Sequence, residues 1–261
     1  MKITISKENY LKAIAEAQAE GESVIAATLA RWLDVSPPAV TMALRRLKRD
    51  GCIQVDKHGH VTLTEDGRRI ADRLLHRHHL IERMLTELFG MEWYQVHDEA
   101  EQLEHAVSAE FERLLAERLG PDGPCPHGNP AGLDSPAKRR GRGWKQMFEL
   151  PAGASAQVIC VYERDRNLLE YLNGLGIRPG STFQVTARNY DDTLALSVDG
   201  RAVQLGRMAA ERIWASEGLG GHAVIKFVDR EAPFEIRGQD SAEPPPSPSD
   251  PTKRHKSGAK E

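Results

Sequence analysis

Cysteine is scarce. Cys52, Cys125 and Cys160 are the only three in 261 residues, too few and too scattered for a disulfide framework, and a reducing cytoplasm suits them best. Long apolar runs are missing as well. Nothing approaches the roughly 18 consecutive apolar residues of a membrane span, and the first eight residues hold no apolar core of signal-peptide length. Nor does one sign of charge dominate: 35 Lys and Arg against 38 Asp and Glu leave a net −3. Any nucleic-acid-binding surface therefore has to be local. With 40% hydrophobic and 28% charged residues, the composition is that of a globular protein long enough for one large domain or two to three small ones.

What is present begins with helices. Ser6 can cap a first helix through Tyr10, Leu11, Ile14 and Ala17, ended by Gly21. A second helix carries Ile25, Leu29 and Trp32-Leu33, and Asp34-Val35-Ser36-Pro37-Pro38 turns into a third. Ser36 suits the N-cap and Pro37 the first helical position, where its missing N–H would have no partner. Val40, Leu44 and Leu47 form the buried stripe, leaving Thr41, Met42, Arg45, Arg46, Lys48 and Arg49 on the other faces. Residues 51–55 and 61–64 then read as two strands joined by a turn that carries Lys57. Helix, helix-turn-helix and hairpin in this order describe a winged DNA-binding domain. Its expected DNA contacts are Ser36, Pro38, Thr41, Met42, Arg45, Arg46 and Lys57, with Thr41 and Met42 at base edges and the arginines and Lys57 on phosphates.

Thr64 starts another helix, with Glu65 and Asp66 in its first turn and an apolar stripe from Ile70 to Leu88. His78 and Glu82 lie one turn apart on it. A further helix, expected over about 95–119, places His97, Glu101, Glu104 and His105 at three- and four-residue steps on one face. Such a stripe is either a solvated charged face or a cation site. Val107, Phe111, Leu114 and Leu115 give the same helix an apolar face suited to a dimer interface, as two-fold DNA half-sites require.

The run from His78 to Gly90, then Val96-His97-Asp98-Glu99-Ala100, Glu104-His105 and Pro124-Cys125-Pro126-His127-Gly128-Asn129-Pro130 resembles the diphtheria-toxin-repressor family of metal-activated regulators, in its manganese-responsive branch. The likeness extends from about residue 6 to about 220. It implies a regulatory metal site of Glu101, Glu104, His105, Cys125 and Asn9, and an ancillary site of His78, Glu82 and His97 joined by a carboxylate from the C-terminal domain. Asp165 aligns with that carboxylate, and Glu163 is two residues away. Where the iron-responsive branch has cysteine and methionine, this chain has Glu101 and Asn9. Oxygen ligands favour Mn(II), with Fe(II) the alternative because Cys125 adds a softer donor. Asn9 departs from the aspartate usual in manganese-type members. Histidines 76, 79 and 127 are expected on the surface or behind the ligands.

Residues 121–150, rich in proline, glycine and small polar residues and ending near Lys138-Arg139-Arg140, are expected to be a linker. From 151 to 230 the strands and Leu172-x-x-Leu175-Gly176-Ile177-Arg178-Pro179-Gly180-Ser181 resemble the SH3-like barrel, or FeoA-type domain, shared by this repressor family and ferrous-iron transport accessory proteins. Residues 231–261, with Pro244-Pro245-Pro246-Ser247-Pro248, are expected to be a disordered tail.

The fold expected is thus mainly α with small β parts. It comprises a winged helix-turn-helix (1–64), a helical metal-binding and dimerisation domain (65–120), the linker, an SH3-like β-barrel and the tail. The function expected is a homodimeric, metal-dependent repressor that binds palindromic double-stranded operators, without a membrane partner. Two rivals remain open: a winged-helix regulator with no metal response, and a hydrolase using the His/Glu cluster.

Overall fold

The structure, a computed structural model, describes residues 4–130 and 132–217; the expected tail lies outside them. The first helix, α1 (Ile5–Ala19), is capped by Thr4, whose hydroxyl accepts from the Lys7 N–H, so Ser6 falls inside its first turn rather than at its cap. The helices α2 (Ala26–Trp32) and α3 (Pro37–Arg49) follow, with Pro37 in the first turn of α3. Ser36 occupies the N-cap position of α3 in extended backbone, but its side chain makes no capping bond. Val40 and Leu47 are buried and Leu44 half-buried, packing α3 against Leu11, Ile14 and Leu29. Strands β1 (Ile53–Val55) and β2 (Val61–Leu63) pair antiparallel as the wing. At its tip the Asp56 carboxylate accepts from the His58 and His60 N–H groups.

Thr64 caps α4 (Glu65–Glu87), accepting from the Gly67 N–H at 3.1 Å. The helix start packs so closely on the wing that any Cβ at Gly67 would collide with the Cys52 carbonyl. Its first half shares the core of the winged domain through Ala71 and Leu75. Its second half packs Ile81 and Met84 against Ala100 and Leu115.

The single helix expected over 95–119 is two: α5 (Val96–Leu103) and α6 (Ala109–Leu119). Ser108 caps α6 by accepting from the Phe111 N–H, and local capping of this kind competes with a continuous helix. Glu104 becomes the C-cap of α5, and Arg77 from α4 donates to its carbonyl at 3.1 Å.

The segment expected to be a linker is packed. It contains the short helix α7 (Pro136–Gly141), capped by Ser135, on which Arg139 is buried and pairs with Glu20 of the winged domain at 3.2 Å. The basic run is drawn in by that pair and by the Trp214 ring, over which Arg139 and Arg140 lie at 5.3 and 5.4 Å.

The C-terminal domain is built from β3 (Lys145–Gln146), β4 (Ser155–Val161), α8 (Arg166–Gly174), β5 (Thr182–Arg188), β6 (Leu194–Val198), β7 (Arg201–Leu205), α9 (Arg207–Ala210) and β8 (Ile213–Ser216). All pairings are antiparallel, in the order β3-β8-β4-β5-β6-β7. The expected barrel is not closed: among the described residues β3 and β7 are unpaired edges of an open sheet. Register shifts at 158/160 and 185/187 bend the sheet, as bulges do, but β3 is only two residues long and gives β7 little to pair with. Trp93, from the loop between α4 and α5, inserts into this domain's core and donates its indole N–H to Asn173 at 2.9 Å. Among the described residues, no helix is long and apolar enough to cross a membrane.

Candidate metal centre

Two clusters of ionisable side chains meet at His78 on α4. The first lies between α4, the turn at 125–129 and the loop after β4. That turn is held by bonds from Cys125 N–H to the Asn129 carbonyl and from Gly128 N–H to the Cys125 carbonyl. Gly128 has φ +84°, and a Cβ there would collide with the Ile159 carbonyl. The turn can therefore lie against β4, where Val161 N–H donates to the His127 carbonyl at 3.0 Å. This approach buries Cys125 and His127 completely.

His79, Glu82, Cys125 and Glu163, all buried, each offer a ligand atom within 4.8 Å of the others. His127 Nδ1 stands 3.4 Å from Glu82 Oε1, 3.7 Å from Glu163 Oε2 and 3.9 Å from Cys125 Sγ. Behind them, His78 Nε2 and His97 Nδ1 lie 3.0 and 3.2 Å from Glu82 Oε1, and Asn129 donates to Glu163 at 2.6 Å.

The polar atoms here are not balanced. Among the described residues Glu82 Oε2, both ring nitrogens of His79 and Nε2 of His127 are buried with no hydrogen-bond partner. A buried carboxylate oxygen left in that state is costly, and a cation among these donors would satisfy it. Burial pushes the Glu82 carboxyl up, but His127 and His78 outweigh it and hold it well below the ordinary carboxylate range. For Glu163, burial and the Glu82 charge are outweighed by His79 and His127. Both carboxylates are thus ionised. Burial raises the Cys125 thiol well above its ordinary value, and Glu82 and Glu163 raise it further. A cation bound there must displace the thiol proton, as metal binding to cysteine commonly does. Two carboxylates, a thiol and imidazole nitrogens, all buried, fit a divalent transition metal.

The second cluster joins α1 to α5. Lys12, buried on α1, places Nζ 2.8 Å from Glu104 Oε2, 3.7 Å from Glu101 Oε1 and 3.0 Å from His78 Nδ1. Glu104 Oε2 also meets His78 Nδ1 at 2.7 Å. Arg164 reaches Glu16 at 2.6 Å and Glu101 at 3.4 Å. Burial and the Lys12 charge push His78 down, but Glu82 and Glu104 outweigh them and raise it to about 9. Burial likewise disfavours the Lys12 ammonium, and Glu16, Glu104 and Glu101 more than offset that.

The expected ligands are therefore grouped differently from the two expected sites. His78, Glu82, His97 and Glu163 are brought together, but Asp165 is exposed and serves as the N-cap of α8, accepting from the Leu168 N–H at 3.0 Å. Cys125 joins Glu82 and Glu163, not Glu101, Glu104 and His105, because the 125–129 turn packs on β4. His105 meets Glu8 at 3.1 Å and Glu104 at 3.5 Å. Asn9 is half-buried with Oδ1 unpartnered. His76 is half-buried, whereas His79 and His127, expected outside the ligand set, are enclosed within it. The Cys-Pro-His-Gly spacing was the available signal for His127; nothing in the sequence pattern pointed to Lys12.

On the DNA-binding side, Ser36, Pro38, Thr41, Met42, Arg45, Arg46 and Lys57 are all exposed. The Thr41 hydroxyl donates back to the Pro37 carbonyl at 3.0 Å, which leaves its oxygen free only to accept.

Residues 2–61 match the iron dependent repressor N-terminal DNA binding domain. Residues 64–131 match that family's metal binding and dimerisation domain, and residues 146–217 match the FeoA domain. The chain is 34% identical to the iron-dependent repressor IdeR of Mycobacterium tuberculosis, over 64% of this chain and 73% of the relative. It is 32% identical to the diphtheria toxin repressor of Corynebacterium diphtheriae, over 76% of this chain and 91% of the relative. A solved manganese-dependent transcriptional repressor in complex with manganese superposes with a TM-score of 0.72 at 33% identity, covering 80% of this chain and 99% of that one.

Proposed function

The chain belongs to the iron-dependent repressor family, and on that premise we propose that it is a dimeric, DNA-binding transcriptional repressor switched by one divalent cation held by Glu82, Cys125, His127 and Glu163, with His79 alongside. The observation that carries this reading is the orphaned Glu82 Oε2 among the buried donors His79, Cys125 and Glu163. Bound there, the cation supplies the positive charge that two buried carboxylates and a thiolate require. Two carboxylates favour Mn(II); the Cys125 thiol is the observation that favours Fe(II) as the second choice.

The donors come from three segments, so loading the pocket fixes the C-terminal domain to α4. Glu163 is followed by Arg164, whose guanidinium bonds Glu16 on α1, donates to the Trp32 carbonyl at 3.2 Å and lies 4.9 Å over the Trp32 ring. An ordered Glu163 thereby holds the winged domain through its neighbour. This is a population shift: only the difference in DNA affinity between the held and released orientations drives it.

Exposed cations on α3 and at the wing support phosphate contacts, and half-exposed Met42 offers an apolar contact for a thymine methyl. Phe111 and Leu114 on α6 are exposed beside buried Leu115, which supports an apolar dimer face there. The test uses duplexes selected from a random pool in the presence of Mn(II). Affinity measured with Mn(II) is expected to exceed that after chelation by at least about tenfold, within the usual range of allosteric coupling. Equal affinities would overturn the reading.

A further inference from the structure

The cluster joining α1 to α5 has the composition of a metal site and borders a cavity of about 150 Å³, but the chain's own cations already sit against its carboxylates. Glu104 Oε2 is occupied by the Lys12 ammonium at 2.8 Å and by His78 at 2.7 Å. Glu101 Oε1 faces Lys12 at 3.7 Å, His97 at 3.6 Å and Arg164 at 3.4 Å. His105 is engaged by Glu8 and Glu104. Among the described residues, the Asn9 amide oxygen and Glu16 Oε1 stand buried there without a partner, but Glu16 is already held through its other oxygen by the Arg164 guanidinium at 2.6 Å.

Charge points the same way. Three carboxylates, Glu16, Glu101 and Glu104, face two fixed cations, Lys12 and Arg164, with the His78 ring between the clusters. A divalent ion entering here would bring its charge within a few ångströms of a buried ammonium, whose repulsion is strong in a low-dielectric interior. The cluster around Cys125 differs: the groups facing Glu82 and Glu163 are imidazoles and an amide, with no Lys or Arg ion-paired to either carboxylate among the described residues.

We propose that Lys12 is a built-in replacement for a metal ion at the junction of α1 and α5, so that this junction binds no divalent cation and the described residues carry one metal site. The link between the winged domain and the dimerisation helices is then permanent there, made by an ammonium that never dissociates. Metal control is left to the Cys125 cluster. Of the residues expected as a regulatory site, Glu101 and Glu104 act as the acceptors of that link.

The count of Mn(II) bound per full-length chain tests this, by equilibrium dialysis with the free ion read by electron paramagnetic resonance. One ion is expected on the wild type, retained in Glu101→Gln and lost in Glu82→Gln. Removing the ammonium in Lys12→Gln is expected to raise the count to two. A wild-type count of two, falling to one in Glu101→Gln or Glu104→Gln, overturns the proposal. So does a folded Lys12→Gln that gains no ion, because its carboxylates would then need no cation. Should Lys12→Gln not fold, the wild-type and Glu101→Gln counts decide alone. A wild-type count of zero overturns the one-site proposal and defeats the metal reading of the Cys125 cluster with it, and is distinguished from a failure at the Lys12 junction because that failure gives a count of two.

Discussion

The two clusters that meet at His78 use nearly the same residue types and differ in what balances them. Around Glu104 the chain supplies its own cations, Lys12 and Arg164. Around Glu82 it supplies imidazoles and an amide, and among the described residues no Lys or Arg is ion-paired to Glu82 or Glu163. A His/Glu constellation is therefore not a metal site by composition alone. Its meaning depends on whether a Lys or Arg from elsewhere in the fold reaches it, and the two cases respond to mutation in opposite ways.

The largest effect is expected at the self-balanced cluster. Lys12→Gln leaves buried Glu104 and its neighbours short of a cation, and breaking a buried pair from one side costs about 3 kcal/mol. Urea unfolding in the presence of a chelator reads this directly; a loss under about 1 kcal/mol would mean that Lys12 is dispensable there. Next comes Glu82→Gln, which removes a donor from the unbalanced cluster. Mn(II) affinity is expected to fall by more than about 100-fold, beyond what loss of a supporting group typically costs, while Glu101→Gln leaves it within about threefold. Reversal of that order in a dialysis titration would exchange the roles of the clusters.

Arg164→Ala sharpens the comparison, because Arg164 touches the second cluster and adjoins a donor of the first. Mn(II) binding should persist, whereas the gain in DNA affinity on adding Mn(II) should shrink by about tenfold, most of a typical coupling. An unchanged gain would sever the proposed route through Glu163 and Trp32. The smallest effect is expected from Asp165→Ala. Loss of the α8 cap costs about 1 kcal/mol of stability, with no change in Mn(II) affinity, since the Asp165 side chain faces solvent. A tenfold drop in that affinity would return Asp165 to the ligand set.

Much of this fold is readable along the chain because its signals are local. Pro37 at the start of α3, the period of Val40 and Leu47, and the Gly59-containing wing turn each depend on neighbours within a few residues. The break at Ser108 was equally local but was hidden by the regular spacing of Glu101, Glu104 and His105. The sites were less legible, because burial is a tertiary property. His79 is next to His78 in sequence, and only the arrival of the 125–129 turn encloses it. Cys125 could be matched to a metal site but not to the right one, since the choice depends on Gly128 letting the turn lie against β4. Lys12 reads as an ordinary polar position on α1; it becomes a counter-ion only when α5 packs across it, 92 residues away in sequence.

Sulfur separates the two clusters most directly, because only one of them contains it. X-ray absorption at the manganese edge, on full-length protein loaded with one Mn(II) per chain, would report the atoms around the ion. The account predicts one sulfur neighbour, from Cys125, together with oxygen and nitrogen, and the loss of that sulfur in Cys125→Ser. A shell of oxygen and nitrogen alone in the wild type would contradict it and put the ion beside Glu101 and Glu104.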